Sequence, residues 1–296
     1  MKNTVFTGAG VALVTPMNDD GSVNYGCLSD LIEEQIAGGT DAIITCGTTG
    51  ESATLTDEEH KQVIRFTVEQ VNHRIPVIAG TGSNHTDYAV ALSKEAENLG
   101  ADALLSVTPY YNKTSQRGLI AHFTAIADAV NIPLILYNVP SRTGVNISVS
   151  TVKTLAKHKN ICGVKEASGN ISAVAELMAE CGDDIDVYSG NDDQIVPIMS
   201  LGGKGVISVL SNIAPRETHN ICKACLDGDF TEGRRLQLKY LNLCKALFMD
   251  VNPIPVKEAM NLMGKNVGEC RLPLFRMEDD KINALSAVLK EAGLIK

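Results

Sequence analysis

The sequence predicts an α/β fold, a (β/α)8 TIM barrel with a C-terminal helical extension. Three observations lead there. Eight short apolar runs recur along the chain, most are separated by enough residues for one crossover helix, and the pattern turns purely helical near the end. Strand–helix alternation of this kind gives parallel strands. Eight such units close most simply into a barrel, whose site lies at the C-terminal ends of its strands. An open doubly wound sheet is the alternative architecture, weakened because no GxGxxG follows the first run.

The strand-like runs begin near Val11, Asp41, Pro76, Ala101, Pro133, Ile161, Ile185 and Gly205. They are nearly continuous in apolar residues, as strands buried on both faces are. The helices follow from period and punctuation. From Asn24 to Ala37, apolar residues at Leu28, Leu31, Ile32 and Ile36 approach the helical repeat, and Gly38-Gly39 ends the run. Thr56-Asp57-Glu58-Glu59 reads as a capping box, with Thr56 at the N-cap and Glu59 at N3. Further helices are expected over Thr86 to Leu99, Gln116 to Val130, Ser150 to Lys157, Ala173 to Glu180 and Asp192 to Leu201. The barrel is placed at residues 1–228 and the helical region at residues 229–296, the latter interrupted by Asn252-Pro253-Ile254-Pro255.

Size and composition exclude several function classes. A chain of 296 residues, 44% hydrophobic and 21% charged, is of ordinary globular composition and long enough to bury about 75% of its unfolded surface. A net charge of −9 without a local Lys/Arg run gives no electrostatic footprint for nucleic acid. No apolar stretch approaches the ~20 residues that span a bilayer. The start, Met1-Lys2-Asn3-Thr4-Val5-Phe6-Thr7-Gly8, lacks the apolar core of a signal peptide, so a cytoplasmic location is expected. The eight cysteines are expected to be reduced there. Cys222-Lys223-Ala224-Cys225 has CxxC spacing but no second pair, and it falls within a helix, which argues against zinc. The six histidines show no HxH or HxxxH spacing and no Walker loop is present. No metal is therefore expected.

The residues just past the strand ends carry the chemistry. In Ile161-Cys162-Gly163-Val164-Lys165-Glu166-Ala167-Ser168 a lysine stands near the end of a buried strand. Burial pushes a lysine towards its neutral amine, which can attack a carbonyl and form a Schiff base. The plain structural alternative is a lysine that snorkels to solvent or pairs with Glu166. Gly47-Thr48-Thr49-Gly50-Glu51-Ser52 can form an anion nest flanked by two hydroxyls, or be only a turn and helix cap. Thr108-Pro109-Tyr110-Tyr111 follows the fourth strand and Tyr137-Asn138-Val139-Pro140-Ser141-Arg142-Thr143-Gly144 the fifth. Neighbouring strands are about 4.8 Å apart, so Tyr137 and Lys165 on consecutive strands can meet. Arg142 can offer a bidentate fork to a carboxylate. Ser189-Gly190-Asn191-Asp192 follows the seventh strand, and the eighth contains Ile207. Together these indicate imine chemistry on a small anionic substrate.

Gly47-Thr48-Thr49-Gly50-Glu51, Tyr137-Asn138-Val139-Pro140-Ser141-Arg142-Thr143 and Gly163-Val164-Lys165-Glu166 resemble motifs of the dihydrodipicolinate synthase (4-hydroxy-tetrahydrodipicolinate synthase) family. That family belongs to the pyruvate-dependent class I aldolases and lyases, and the likeness runs through Asn252-Pro253-Ile254-Pro255-Val256-Lys257. The resemblance implies condensation of pyruvate with L-aspartate 4-semialdehyde on the route to diaminopimelate and lysine. It implies Lys165 as the Schiff-base residue, Tyr137 as proton donor and acceptor, and Thr49 and Tyr111 completing a relay, with Tyr111 coming from a neighbouring subunit. Thr48 would hold the pyruvate carboxylate and Arg142 that of the semialdehyde, while Gly190 and the Ile207 carbonyl shape the pocket. A homotetramer without cofactor is implied. The sibling N-acetylneuraminate lyases and 2-keto-3-deoxy sugar acid aldolases share the lysine, tyrosine and Gly-rich loop, and Arg142 speaks against them. A non-catalytic binding protein on the same fold would have no reason to retain a desolvated lysine beside that tyrosine and arginine.

Relatives in this family carry a lysine-binding cleft between subunits. The positions that match it are Ser52, Ala53, His60, Asn84 and Tyr110. Asp57 and Tyr88 stand where lysine-sensitive bacterial members carry a histidine and a glutamate. Weak or absent lysine inhibition is therefore expected, since a lost carboxylate removes a charge-assisted hydrogen bond worth about 1.5–3 kcal/mol.

Overall fold

A computed structural model describes residues 4–296. The leader reading above falls partly on residues 1–3, which lie outside them. The eight apolar runs all become strands: β1 Gly8–Ala12, β2 Ala42–Thr45, β3 Val77–Gly80, β4 Ala103–Val107, β5 Leu134–Asn138, β6 Ile161–Glu166, β7 Asp186–Ser189 and β8 Gly205–Ser208. They pair in parallel in sequence order and close into a barrel, β8 returning to β1 through the register Gly8↔Gly205. The helices between them are α1 Tyr25–Ala37, α2 Asp57–Val71, α3 Thr86–Asn98, α4 Gln116–Asp128, α5 Pro140–Thr143, α6 Val149–Leu155, α7 Ile171–Cys181 and α8 Ile195–Ser200. The barrel is followed by α9 Pro215–Leu226, α10 Phe230–Lys239, α11 Leu241–Ala246, α12 Ile254–Leu262 and α13 Asp279–Glu291. No helix of the described residues is long and apolar enough to cross a membrane.

Local chemistry explains the boundaries. Asn24 caps α1 through the Cys27 N–H, and the Thr56/Glu59 capping box is formed in full. The eighth helix departs from expectation: Asp192–Gln194 is a short 3-10 turn, and the α-helix begins only at Ile195. The first strand starts earlier than its apolar run, because Gly8, Ala9 and Gly10 already pair with Gly205, Val206 and Ile207 of β8. A Cβ at Gly205 would lie 1.8 Å from the Gly8 carbonyl oxygen, so the β1–β8 seam closes only with glycine there. Cys222 and Cys225 lie buried and free in α9.

Two apolar layers result. The lumen holds Ile44, Ile78, Leu105, Ile135, Tyr137, Tyr188 and Ile207. Its floor is closed by Phe6 stacked on Tyr188 at 4.5 Å between ring centroids, with the Tyr188 hydroxyl donating to the Phe6 carbonyl at 2.8 Å. The second layer packs the outer strand faces against the helices and reaches α13 through Ile282, Leu285 and Leu289.

The barrel and the C-terminal helices are joined by a buried ion pair. Lys257 Nζ on α12 donates to Glu51 Oε1 at 2.8 Å, to the Glu269 carbonyl at 2.8 Å and to the Thr15 carbonyl at 3.3 Å. All three ammonium protons thus have acceptors. The second Glu51 oxygen accepts from the Arg271 N–H at 2.9 Å. Removing one partner of such a pair strands a buried charge, at a cost of about 3–5 kcal/mol. Lys257→Met is therefore expected to lower the free energy of unfolding by about that amount. Chemical denaturation reads it, and a change under about 1 kcal/mol, the range of exposed pairs, would contradict the assignment.

Candidate active site

Lys165 and Tyr137 face the lumen from adjacent strands. The β5–β6 register runs Leu134↔Ile161 and then Ile135↔Gly163, so Cys162 is an extra residue that bulges β6 and sets Tyr137 directly opposite Lys165. Lys165 Nζ lies 4.3 Å from the centroid of the Tyr137 ring. The lysine is only 6% exposed. Burial lowers its pKa to about 8, with the Asp192 carboxylate pulling it up and the Arg142 guanidinium pushing it down. Burial likewise raises the Tyr137 phenol to about 12, partly offset by Arg142 and by a hydrogen bond with the Thr48 side chain. Lys165 therefore does not snorkel. Glu166, on the opposite strand face, is engaged elsewhere: its oxygens accept from Asn138 Nδ2 at 2.8 Å and from the Ser168 N–H at 2.6 Å.

A cavity of about 370 Å³ opens above this pair, at the C-terminal ends of the strands, with Thr48, Thr49, Tyr137, Arg142, Lys165 and Gly190 among its walls. Gly190 makes room for the lysine stem. A Cβ there would lie 3.2 Å from Lys165 Cε and 2.7 Å from the Ala167 Cβ. Ile207 is buried in the lumen on β8, and the cavity wall after that strand comes from Val209.

The two threonines meet different partners. Thr48 is the hydroxyl that bonds Tyr137, while Thr49 Oγ1 accepts from Asn252 Nδ2 at 3.0 Å. The glycine-rich loop is also a narrower nest than its sequence suggests. The N–H groups of Gly50, Glu51 and Ser52 close turns onto the carbonyls of Gly47, Thr48 and Gly47. Of the flanked pair, Thr48 and Thr49, neither N–H is drawn into these turns. Tyr111 stays away from its own chain's cavity. It sits in the loop after β4, 92% exposed and at φ 67°. Among the described residues, no three His, Cys, Asp or Glu side chains gather in metal-binding geometry.

Sequence reasoning missed Asn252. Its carbonyl accepts from Arg142 Nη2 at 3.2 Å, so one residue orients both the arginine and Thr49. With Phe248, Asp250 and Val251 it brings the α11–α12 connection into the cavity wall. The Asn252-Pro253-Ile254-Pro255 break was the one visible sign that this segment leaves the helical pattern.

A second cavity, about 390 Å³, shares Thr48, Val139, Arg142 and Asn252 with the first and extends to Ser52, Ala53, His60, Tyr88 and Tyr110. Asn84 borders it by donating to the Tyr110 carbonyl at 3.1 Å. His60 Nε2 is engaged with the Gly80 carbonyl at 2.8 Å. Asp57 and Tyr88, 31 residues apart in sequence, meet here: the Tyr88 hydroxyl donates to Asp57 Oδ1 at 2.6 Å.

Known proteins agree with this architecture. A 4-hydroxy-tetrahydrodipicolinate synthase of Acetivibrio thermocellus is 58% identical over 295 residues, covering 100% of both chains. The chloride-inhibited dihydrodipicolinate synthase of Acinetobacter baumannii, solved in complex with pyruvate, superposes with a TM-score of 0.97 at 46% identity, over 99% of this chain and 100% of that one. The enzyme of Cyanidioschyzon merolae with lysine bound gives 0.96 at 41%, over 99% and 100%. The profile of the Dihydrodipicolinate synthetase family matches residues 5–292. With a closed eight-stranded barrel, a desolvated lysine at its mouth and full-length likeness to these proteins, the chain belongs to the dihydrodipicolinate synthetase family.

Proposed function

We infer that the chain is a 4-hydroxy-tetrahydrodipicolinate synthase, condensing pyruvate with L-aspartate 4-semialdehyde through an imine on Lys165. The observation that carries the reading is the placement of that amine. Near pKa 8, at 4.3 Å from the Tyr137 ring, it is a nucleophile at neutral pH in a way an ordinary lysine is not. The amine adds to the keto carbon of pyruvate and water leaves. The cationic imine acidifies the methyl group, the enamine attacks the semialdehyde carbonyl, and the substrate's amine then displaces Lys165 and closes the ring. The Tyr137 phenol moves the protons. Its bonded partner Thr48 suits the next relay position better than Thr49, whose hydroxyl holds Asn252. Thr49 is left to meet the pyruvate carboxylate. Arg142, held by the Asn252 carbonyl, suits the carboxylate of the second substrate and favours this reaction over the sugar-acid aldolases. The exposed Tyr111 completes the relay in a neighbouring subunit of a homotetramer, and the enzyme works in the cytoplasm.

Borohydride reduction in the presence of pyruvate tests the imine. The adduct mass is expected on Lys165, and the rate of its formation should rise with pH up to about 8, where the amine becomes free, and level off above. Mass on any other lysine would overturn the reading. Tyr137→Phe should lower kcat by about 10²–10⁴-fold, the range of general acid–base help, with little change in KM for pyruvate. A wild-type kcat would remove the phenol from the relay.

The cleft around Ser52, Ala53, His60, Asn84 and Tyr110 is the family's lysine site in form. Here the Asp57 carboxylate is occupied by Tyr88, which supports weak lysine binding. Half-inhibition by lysine at saturating pyruvate is expected only above about 1 mM, equivalent to about 4 kcal/mol of binding. Inhibition at lower concentration would show that the exchanged pair leaves the cleft competent.

A further inference from the structure

Behind the catalytic pair stands a second cross-strand pair that touches no part of the catalytic cavity. One register step beyond Tyr137↔Lys165, Asn138 of β5 lies opposite Glu166 of β6. Both side chains leave the strands on the face away from the lumen, and both are buried, at 3% and 7% exposure. They border a cavity of about 320 Å³ whose other walls include Asn146, Ser148 and Ser168. None of the residues lining it lines the catalytic cavity.

Every polar side-chain atom of the pair is engaged. Asn138 Nδ2 donates to Glu166 Oε2 at 2.8 Å and to Asn146 Oδ1 at 2.9 Å. Asn138 Oδ1 accepts from the Ile147 N–H at 3.0 Å, and Glu166 Oε1 accepts from the Ser168 N–H at 2.6 Å. Asn138 thus ties the start of the loop after β5 to its end, and Glu166 ties Asn138 to the loop after β6. A carboxylate accepts at both oxygens and an amide at one only, so this set of donors calls for an acid on β6 and an amide on β5.

The enclosed segment carries Arg142 and is bonded to itself. The Arg142 and Thr143 N–H groups donate to the Val139 carbonyl at 3.0 and 3.1 Å, and the Gly144 N–H to the Pro140 carbonyl at 2.8 Å. The Val145 N–H donates to Thr143 Oγ1 at 3.2 Å. Its far end is anchored to α4, where Gln116 Nε2 donates to the Asn146 carbonyl at 2.8 Å. The bearing of this unit on the catalytic cavity is therefore set at its base, on Asn138.

We propose that the Asn138–Glu166 pair positions Arg142 and thereby sets how tightly the carboxylate of the second substrate is bound. The proposal rests on the reading of the chain as a synthase with two substrates. Neither residue of the pair meets substrate. A guanidinium grips a carboxylate through two parallel N–H bonds, so a small tilt of its loop costs affinity for that group. Pyruvate is held by Lys165 and by the loop of Thr48 and Thr49, and asks nothing of this segment.

The test is steady-state kinetics with each substrate varied in turn. Glu166→Gln keeps the shape but leaves either Asn138 Nδ2 or the Ser168 N–H facing an amide –NH2. Asn138→Asp sets two carboxylates against each other. Each is expected to raise KM for the semialdehyde about tenfold, the loss of one charge-assisted hydrogen bond. KM for pyruvate and borohydride trapping on Lys165 should not change. The paired exchange N138D/E166Q moves the acid to β5 and the amide to β6. The amide then donates to the acid, which still accepts from the Ile147 N–H, and the exposed Asn146 turns its amide to donate. KM for the semialdehyde should return towards wild type. In an Arg142→Ala background, E166Q should add no further rise. If neither single variant folds, Asn138→Ser, which gives up the bonds without opposing charges, supplies the single-variant value. An unmoved semialdehyde KM, an equal rise for pyruvate, or no rescue by the paired exchange overturns the positioning role and leaves the imine on Lys165 standing. Failure of wild type to condense the two substrates removes the functional reading and this proposal together.

Discussion

The site depends on keeping one ammonium group out of water. Holding Lys165 near pKa 8 instead of 10.5 corresponds to about 3 kcal/mol in favour of the neutral amine. That penalty on the charged native state is felt fully below about pH 8 and is relieved as pH rises towards 10.5. Exposed ion pairs, at about 0–1 kcal/mol each, do not offset it. The lumen does, through Ile44, Ile78, Leu105, Ile135 and the Phe6–Tyr188 floor, with each large apolar side chain buried contributing about 1.5–3 kcal/mol. The reactive amine and the apolar plug beneath it are thus two aspects of one packed interior.

The C-terminal helices act on this interior from outside. Three of their polar contacts land on loops that carry candidate functional residues or border the cavity. Lys257 holds Glu51, which sits at φ 56° at the end of the threonine loop. Asn252 holds Thr49 and Arg142, and Gln237 holds the Asp192 carbonyl. The helices are therefore more than an appendage: they fix the orientation of side chains that the barrel alone leaves on loops.

Much of this was legible in the sequence because the relevant signals are local. Eight apolar runs gave eight strands, and the Thr56/Glu59 cap formed as read. Lys165 stood out because a charge near the end of such a run is expensive. What stayed hidden was set by distance along the chain. Asn252 reaches Thr49 across 203 residues and Lys257 reaches Glu51 across 206; neither has a pattern of its own. Which of Thr48 and Thr49 meets Tyr137 depends on loop conformation, which two adjacent identical residues do not encode. The need for glycine at Gly205, where a Cβ would strike the Gly8 carbonyl oxygen, is set by a partner strand almost two hundred residues away.

The bulge at Cys162 bears on how tolerant this strand can be. Lys165 and Glu166 are neighbours in sequence but belong to opposite faces, one in the lumen and the other bonded to Asn138 and Ser168 outside it. A strand has a side-chain period of two, so pairing β6 at its present length without the bulge would bring Val164 opposite Tyr137 and set Lys165 opposite Asn138. Substitutions that preserve length can drift along β6 while the chemistry persists. A one-residue slip of β6 along β5 would instead turn Lys165 out of the lumen, which makes the register of this strand a stricter inheritance than its composition.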